Sequence, residues 1–193
     1  MPKTTTVLLC GVGGQGTVLA ADLLARAAMG AGLEVKVSEI HGMAQRGGAV
    51  TTVIRFGDSV HTMVADTGSV DYLVSFEETE ALRNISFLRD GGYLLVADEN
   101  IKPLPVACGR AEMPDHMQQI LIDFGANLIP AREMAAEAGS PKSVNVVLLG
   151  ALASQLDFPE EVWEKAIRDR VPAKTIDINI KAFHLGLDFA KRQ

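Results

Sequence analysis

The stretch Val7-Leu8-Leu9-Cys10-Gly11-Val12-Gly13-Gly14-Gln15-Gly16-Thr17 decides the fold. Val7 to Cys10 is a short apolar run of the length and composition of a buried strand. Gly11, Gly13 and Gly16 follow at once in the pattern G-x-G-x-x-G. Thr17 to Met29 is rich in Ala and Leu, which predicts a helix ending near Gly30 and Gly32. Leu33 to Ser38, with Val35 and Val37 alternating, predicts a second strand. A strand–helix–strand unit of this kind implies parallel pairing of the two strands through a right-handed crossover.

Outward from this unit, Ala49 to Phe56 reads as a strand with Val50, Thr52, Ile54 and Phe56 on one face, and Val60 to Val64 as a short returning strand. Asp71 to Phe76 is a strand, Glu77 to Leu88 a helix, and Asp90-Gly91-Gly92 a turn into the strand Tyr93 to Ala97. Glu99 to Met113 is mostly connection, Asp115 to Phe124 a helix, and Asn127 to Ile129 a last short strand. Helices are expected over Arg132 to Ala138, Ser143 to Leu156, Pro159 to Arg170 with Asp157 as candidate cap, and Ile176 to Lys191. The fold class is therefore α/β: three layers, a mostly parallel sheet with flanking helices, and a helical C-terminal third. Residues 1–193 are read as a single domain, with no internal repeat or low-complexity linker.

Composition narrows the function. Apolar residues make up 48% and charged residues 22%, an ordinary globular balance, and the net charge of −6 argues against nucleic acid and anionic membrane as partners. Two cysteines, Cys10 and Cys108, are too few for the four thiolates of a typical iron–sulfur cluster, and such sparse usage suits the cytoplasm. His41, His61, His116 and His184 lack metal-ligand spacing. No apolar run approaches the ~20 residues that span a bilayer.

Two loops carry the candidate site. In the first, glycine permits a tight turn and close approach of a ligand to the backbone, and the helix N-terminus beyond favours an anion. Gly11, Gly13, Gly14, Gln15 and Gly16 are its candidate cofactor-binding residues. A bound nucleotide-like phosphate, a subunit or active-site contact and a purely structural turn all remain open readings of it. The second loop is Glu39-Ile40-His41-Gly42-Met43-Ala44-Gln45-Arg46-Gly47-Gly48, leaving the C-terminal end of the second strand, where ligands of open α/β sheets collect. Arg46 offers five donors in a fixed fork suited to a carboxylate or phosphate. Arg46, His41 and Gln45 are the candidate catalytic residues, and Gly47 and Gly48 would let a ligand or partner reach the backbone.

Together these two loops resemble the gamma domain of pyruvate and other 2-oxoacid:ferredoxin oxidoreductases, and His41-Gly42-Met43-Ala44-Gln45-Arg46-Gly47-Gly48 resembles most the indolepyruvate type. Phe76 to Arg83, Asn145 to Gly150, Asn179 and Ala182-Phe183 carry further echoes, so the likeness spans nearly the whole chain. The resemblance implies a small subunit of a hetero-oligomer. A larger subunit would carry thiamine diphosphate, magnesium and [4Fe-4S] clusters; this chain would bind none of them alone and would help shape the site for an aryl 2-oxoacid or the co-substrate coenzyme A. Ferredoxin would be reduced through the complex. A second reading is an autonomous NAD(P)- or FAD-binding oxidoreductase or nucleotide sensor, with Gly11, Gly13 and Gly16 at the pyrophosphate and Glu39 at a ribose.

Overall fold

The structure is a computed structural model and describes residues 4–42 and 48–193. Its strands are β1 (Thr4–Val12), β2 (Glu34–His41), β3 (Ala49–Gly57), β4 (Val70–Ser75), β5 (Leu88–Ala97) and β6 (Asn127–Ile129). Its helices are α1 (Thr17–Gly30), α2 (Glu78–Asn84), α3 (Leu104–Ala107), α4 (Met117–Asp123), α5 (Ala131–Ala138), α6 (Val144–Ala153), α7 (Glu160–Arg170) and α8 (Ile176–Lys191).

The strands form one sheet in the order β2-β3-β1-β4-β5-β6. The β1–β4, β4–β5 and β5–β6 ladders are parallel, whereas β3 runs antiparallel to both its neighbours. The expected parallel pairing of the first two strands is thereby corrected: β1 and β2 point the same way, but β3 lies between them. Polarity accounts for the arrangement. β3 presents Val50, Thr52, Ile54 and Phe56 inward, all buried, while β2 carries Glu34, Lys36, Glu39 and His41. The apolar strand takes the inner position, and the charged one guards the edge, where unpaired N–H groups meet water.

Val60 to Val64 forms no strand. Both edges of β3 are already occupied, so no ladder is open to it; instead the Val60 N–H donates to the Glu34 carboxylate at 3.1 Å and the Val64 carbonyl accepts from Arg55 at 3.0 Å. The expected turn at Asp90-Gly91-Gly92 sits inside β5 as an irregularity, because Val70 pairs with Leu88 and Tyr72 with Tyr93. The helix expected to reach Leu88 ends at Asn84 in a 3₁₀ turn over Ile85–Phe87.

Both faces of β1, β4 and β5 are covered, which explains their unbroken apolar runs. Val7, Leu9, Val74 and Leu95 face a large core shared with α1, α5, α6, α7 and α8. Leu8, Cys10, Leu73 and Leu94 face a smaller one closed by α2 and α4. In α6 every residue from Asn145 to Ala153 is buried, as befits a helix that is apolar all round. It crosses α8 at Gly150 and Gly186. A Cβ on Gly150 would lie 2.0 Å from the Phe183 carbonyl oxygen, and one on Gly186 would lie 2.0 Å from that of Val147. Trp163, on α7, stacks between Phe158 and Phe183 at centroid distances of 5.6 and 5.8 Å.

The topology positions the site. From β1 the chain passes through α1 toward the β2 edge; from β4 it passes through α2 toward β6, on the opposite face of the sheet. The order reverses between β1 and β4, and the C-terminal ends of those two strands flank the crevice where ligands of open α/β sheets bind.

Candidate functional site

β1 ends in Gly11 and Val12, and the loop Gly13 to Gly16 turns the chain into α1. Gly16 is the N-cap, with φ of 84° in the left-handed region that glycine enters without strain. Its missing Cβ also makes room for Asn145: a methyl there would lie 2.8 Å from the Asn145 Nδ2. Asn145, at the start of α6, donates instead to the Gly16 carbonyl at 3.3 Å. Gly11 is buried, and a Cβ on it would lie 2.8 Å from that of Phe76. Gly14, with φ of 101°, stands open to solvent.

Gln15 is held at both ends of its amide. Its Oε1 accepts from the Val12 N–H at 2.6 Å, and its Nε2 donates to the Phe76 carbonyl at 3.0 Å. Gly13 donates its N–H to the Gly48 carbonyl at 2.9 Å, so the end of the second loop lies directly against the first. His41 closes β2, exposed, with its imidazole against the Glu39 carboxylate. Gln45, Arg46 and Gly47 lie outside the described residues.

A cavity of about 580 Å³ opens beside the glycine loop, lined by Gly14, Gln15, Gly16 and Asn145 together with Arg132 and Lys142. Arg132 pairs with Glu99 at 3.3 Å; Lys142 is exposed. α1 has no side-chain cap and no acidic residue in its first turn. Its leading N–H groups therefore keep their partial positive charge, which with two cations nearby suits an anion. Sequence reasoning missed Arg132 and Lys142. The sole trace of Lys142 was a cation placed just before the apolar run of α6.

The sequence pattern of pyruvate ferredoxin/flavodoxin oxidoreductase matches residues 6–189. The chain belongs to that family. Among its relatives, the indolepyruvate oxidoreductase subunit IorB of Thermococcus kodakarensis is 43% identical, covering 98% of this chain and 97% of the relative. The subunit of the same description from Archaeoglobus fulgidus is 38% identical over 95% of this chain and 94% of its own length. Of solved structures, the gamma subunit of a keto/oxoacid ferredoxin oxidoreductase from Geobacter sulfurreducens superposes with a TM-score of 0.74 at 25% identity, covering 98% of this chain and 99% of that one. A 2-oxoglutarate:ferredoxin oxidoreductase from Magnetococcus marinus shares the fold, with a TM-score of 0.77 at 24% identity; the match covers 99% of this chain and 32% of that one.

Within the family fold, the dinucleotide reading loses its geometry. Glu39 was its ribose-binding acid, yet β3 separates β2 from β1, which sets Glu39 two strand spacings, about 10 Å, from the glycine-loop strand. Its carboxylate is also engaged by His41.

On the other side of the crevice, Glu77 caps α2: its carboxylate accepts the N–H groups of Thr79, at 3.1 Å, and Glu80. Glu77, Glu78 and Glu80 are all buried. Burial raises the Glu77 pKa above the ordinary carboxylate value, against the opposing pull of its backbone hydrogen bonds. Glu78 accepts from Gln118 at 2.6 Å and Glu80 from Arg83 at 2.5 Å. These carboxylates serve the helix start, where negative charge complements the helix dipole. Cys10 lies beneath them, buried, and desolvation pushes its thiol up to about 12, with Glu80 and Glu77 acting in the same direction. It is a packing residue in the neutral form. Among the described residues no group of three or more His, Cys, Asp or Glu side chains is placed to hold a metal ion, and no helix is long and apolar enough to cross a membrane.

Proposed function

We propose that this chain is the small subunit of an indolepyruvate-type 2-oxoacid:ferredoxin oxidoreductase, a single gamma-type domain that works beside a larger subunit. The complex converts an aryl 2-oxoacid, coenzyme A and oxidised ferredoxin into an acyl-coenzyme A, carbon dioxide and reduced ferredoxin. Thiamine diphosphate, magnesium and [4Fe-4S] clusters belong to the larger subunit in this reading. Full-length similarity to IorB subunits supports the substrate class. Two free cysteines, one buried and one exposed, accord with a reducing cytoplasmic setting.

One observation carries this chain's part: the uncapped N-terminus of α1 faces a cavity that also receives Arg132 and Lys142. This site suits the phosphate-bearing end of coenzyme A. Arg46, His41 and Gln45 are assigned to the reacting end of the assembled site, where the second loop meets the larger subunit; the bond from the Gly13 N–H to the Gly48 carbonyl, which ties the end of the second loop to the first, supports this assignment.

The test is co-expression with the thiamine-diphosphate subunit encoded in the same genome, followed by ferredoxin reduction with a panel of aryl, branched and acidic 2-oxoacids. Aryl 2-oxoacids should give the highest kcat/KM, and the isolated chain should reduce nothing. Lys142→Ala should raise the KM for coenzyme A about tenfold, the worth of one charged hydrogen bond, while kcat holds. Turnover by the isolated chain, or saturable NADH binding to it, would overturn the reading.

A further inference from the structure

Parallel pairing of β1 with β4 runs from Val7 opposite Tyr72 to Cys10 opposite Ser75. One more backbone bond follows, from the Phe76 N–H to the Cys10 carbonyl at 2.8 Å. In a parallel ladder the next bond would run from the Val12 N–H to the Phe76 carbonyl. Those two groups are both present, and both are satisfied, but not by each other: the Gln15 amide stands between them. The strands part here, and one side chain spans the opening at the switch point of the sheet. The amide's orientation is forced, because Val12 can only donate and the Phe76 carbonyl can only accept.

We infer that Gln15 is a positioning residue, whose amide replaces one bond of the β1–β4 ladder and thereby sets the glycine loop over the crevice. It acts through the loop backbone, not on the ligand. The loop has a second tether on its far side, where Asn145 holds the Gly16 carbonyl. Between the two, the N–H groups at the head of α1 are aimed into the cavity before any ligand arrives, which lowers the ordering cost of binding. The inference rests on the function proposed above for its kinetic arm alone.

Gln15→Glu and Gln15→Met test it. Methionine keeps the size and loses both bonds. The introduced carboxylate can accept from Val12 but opposes the Phe76 carbonyl; once protonated it can donate again. Charged groups around the position are Glu77 at the start of α2, and Glu99, Arg132 and Lys142 around the cavity. They are common to both variants, so the ratio of one to the other at each pH removes their contribution. In the assembled complex, well below the melting temperature, Gln15→Met should raise the KM for coenzyme A about tenfold with kcat within about threefold. Gln15→Glu should match it at high pH and recover toward wild type as pH falls through the carboxyl's titration; Gln15→Met should not recover. Independently of activity, amide exchange of the isolated chain should lose protection about tenfold over 11–19 in Gln15→Met, with 4–10 unchanged. Faster exchange with unaltered kinetics would reduce Gln15 to a structural tie and overturn the positioning role. Unchanged exchange would overturn the latch itself, whether or not the wild-type complex turns over aryl 2-oxoacids. A wild-type complex inactive toward those acids counts against the proposed function alone.

Discussion

Two helices begin at the same edge of the sheet, α1 after β1 and α2 after β4, on either side of the crevice, and their first turns are furnished in opposite ways. α2 supplies its own anions: Glu77 caps it and Glu78 and Glu80 fill its first turn. All three are buried, so the positive end of that helix is spent inside the protein. α1 starts from a left-handed glycine, without a capping side chain and without an acidic residue in its first turn, beside an open cavity with two cations. A helix start that is satisfied internally contributes to stability. One left unsatisfied keeps a cost that a ligand can relieve. On the function proposed above, the difference makes α1 the binding end and α2 the structural wall of the crevice.

Substitutions at three positions break or sharpen this contrast. The largest effect belongs to Gly16→Ala. A non-glycine residue in the left-handed region costs about 1–2 kcal/mol, and here the methyl also meets Asn145. The melting temperature of the chain should fall, and coenzyme A affinity of the complex should fall by more than tenfold as the loop shifts. An unchanged KM would detach α1 from binding.

Glu77→Ala comes next. Loss of a cap costs about 1 kcal/mol, measured by urea unfolding at pH 7, with kcat/KM per folded complex preserved. Glu77→Gln keeps an acceptor and isolates the charge. Because burial raises the Glu77 pKa in the folded state, that state binds its proton more tightly than the unfolded chain does. Wild-type stability is therefore reduced as pH rises from the ordinary carboxylate value through the raised one. Relative to wild type, the Glu77→Gln variant should look more favourable at pH 8 than near pH 4; an advantage that grows toward acid would contradict the burial argument.

The smallest and most diagnostic change is Val18→Glu. Val18 is exposed in the first turn of α1, and a carboxylate there should stabilise the helix by about 0.3–1 kcal/mol. The same charge repels an anionic ligand, so the KM for coenzyme A should rise several-fold while the melting temperature rises slightly. Stability and affinity moving together would refute the assignment of an anion to this helix start.

The sequence alone determined what depends on neighbours along the chain. The buried strand, glycine turn and helix of residues 7–30 are local, because glycine's freedom and an apolar period act within a few residues. The inward face of β3 and the extent of α8 were legible for the same reason. Only the tertiary structure decided which strands are neighbours. Nothing near Val35 or Ile54 says that β3 will enter between β1 and β2; that choice compares the burial of whole strands. It also decided what surrounds the glycine loop. Asn145 lies 129 residues from Gly16 in the chain, and Arg132, Lys142 and the Phe76 carbonyl reach the loop only when α5, α6 and β4 pack beside it. Side-chain chemistry is written in the chain, but the distance between two distant groups is set by the packing of everything between them.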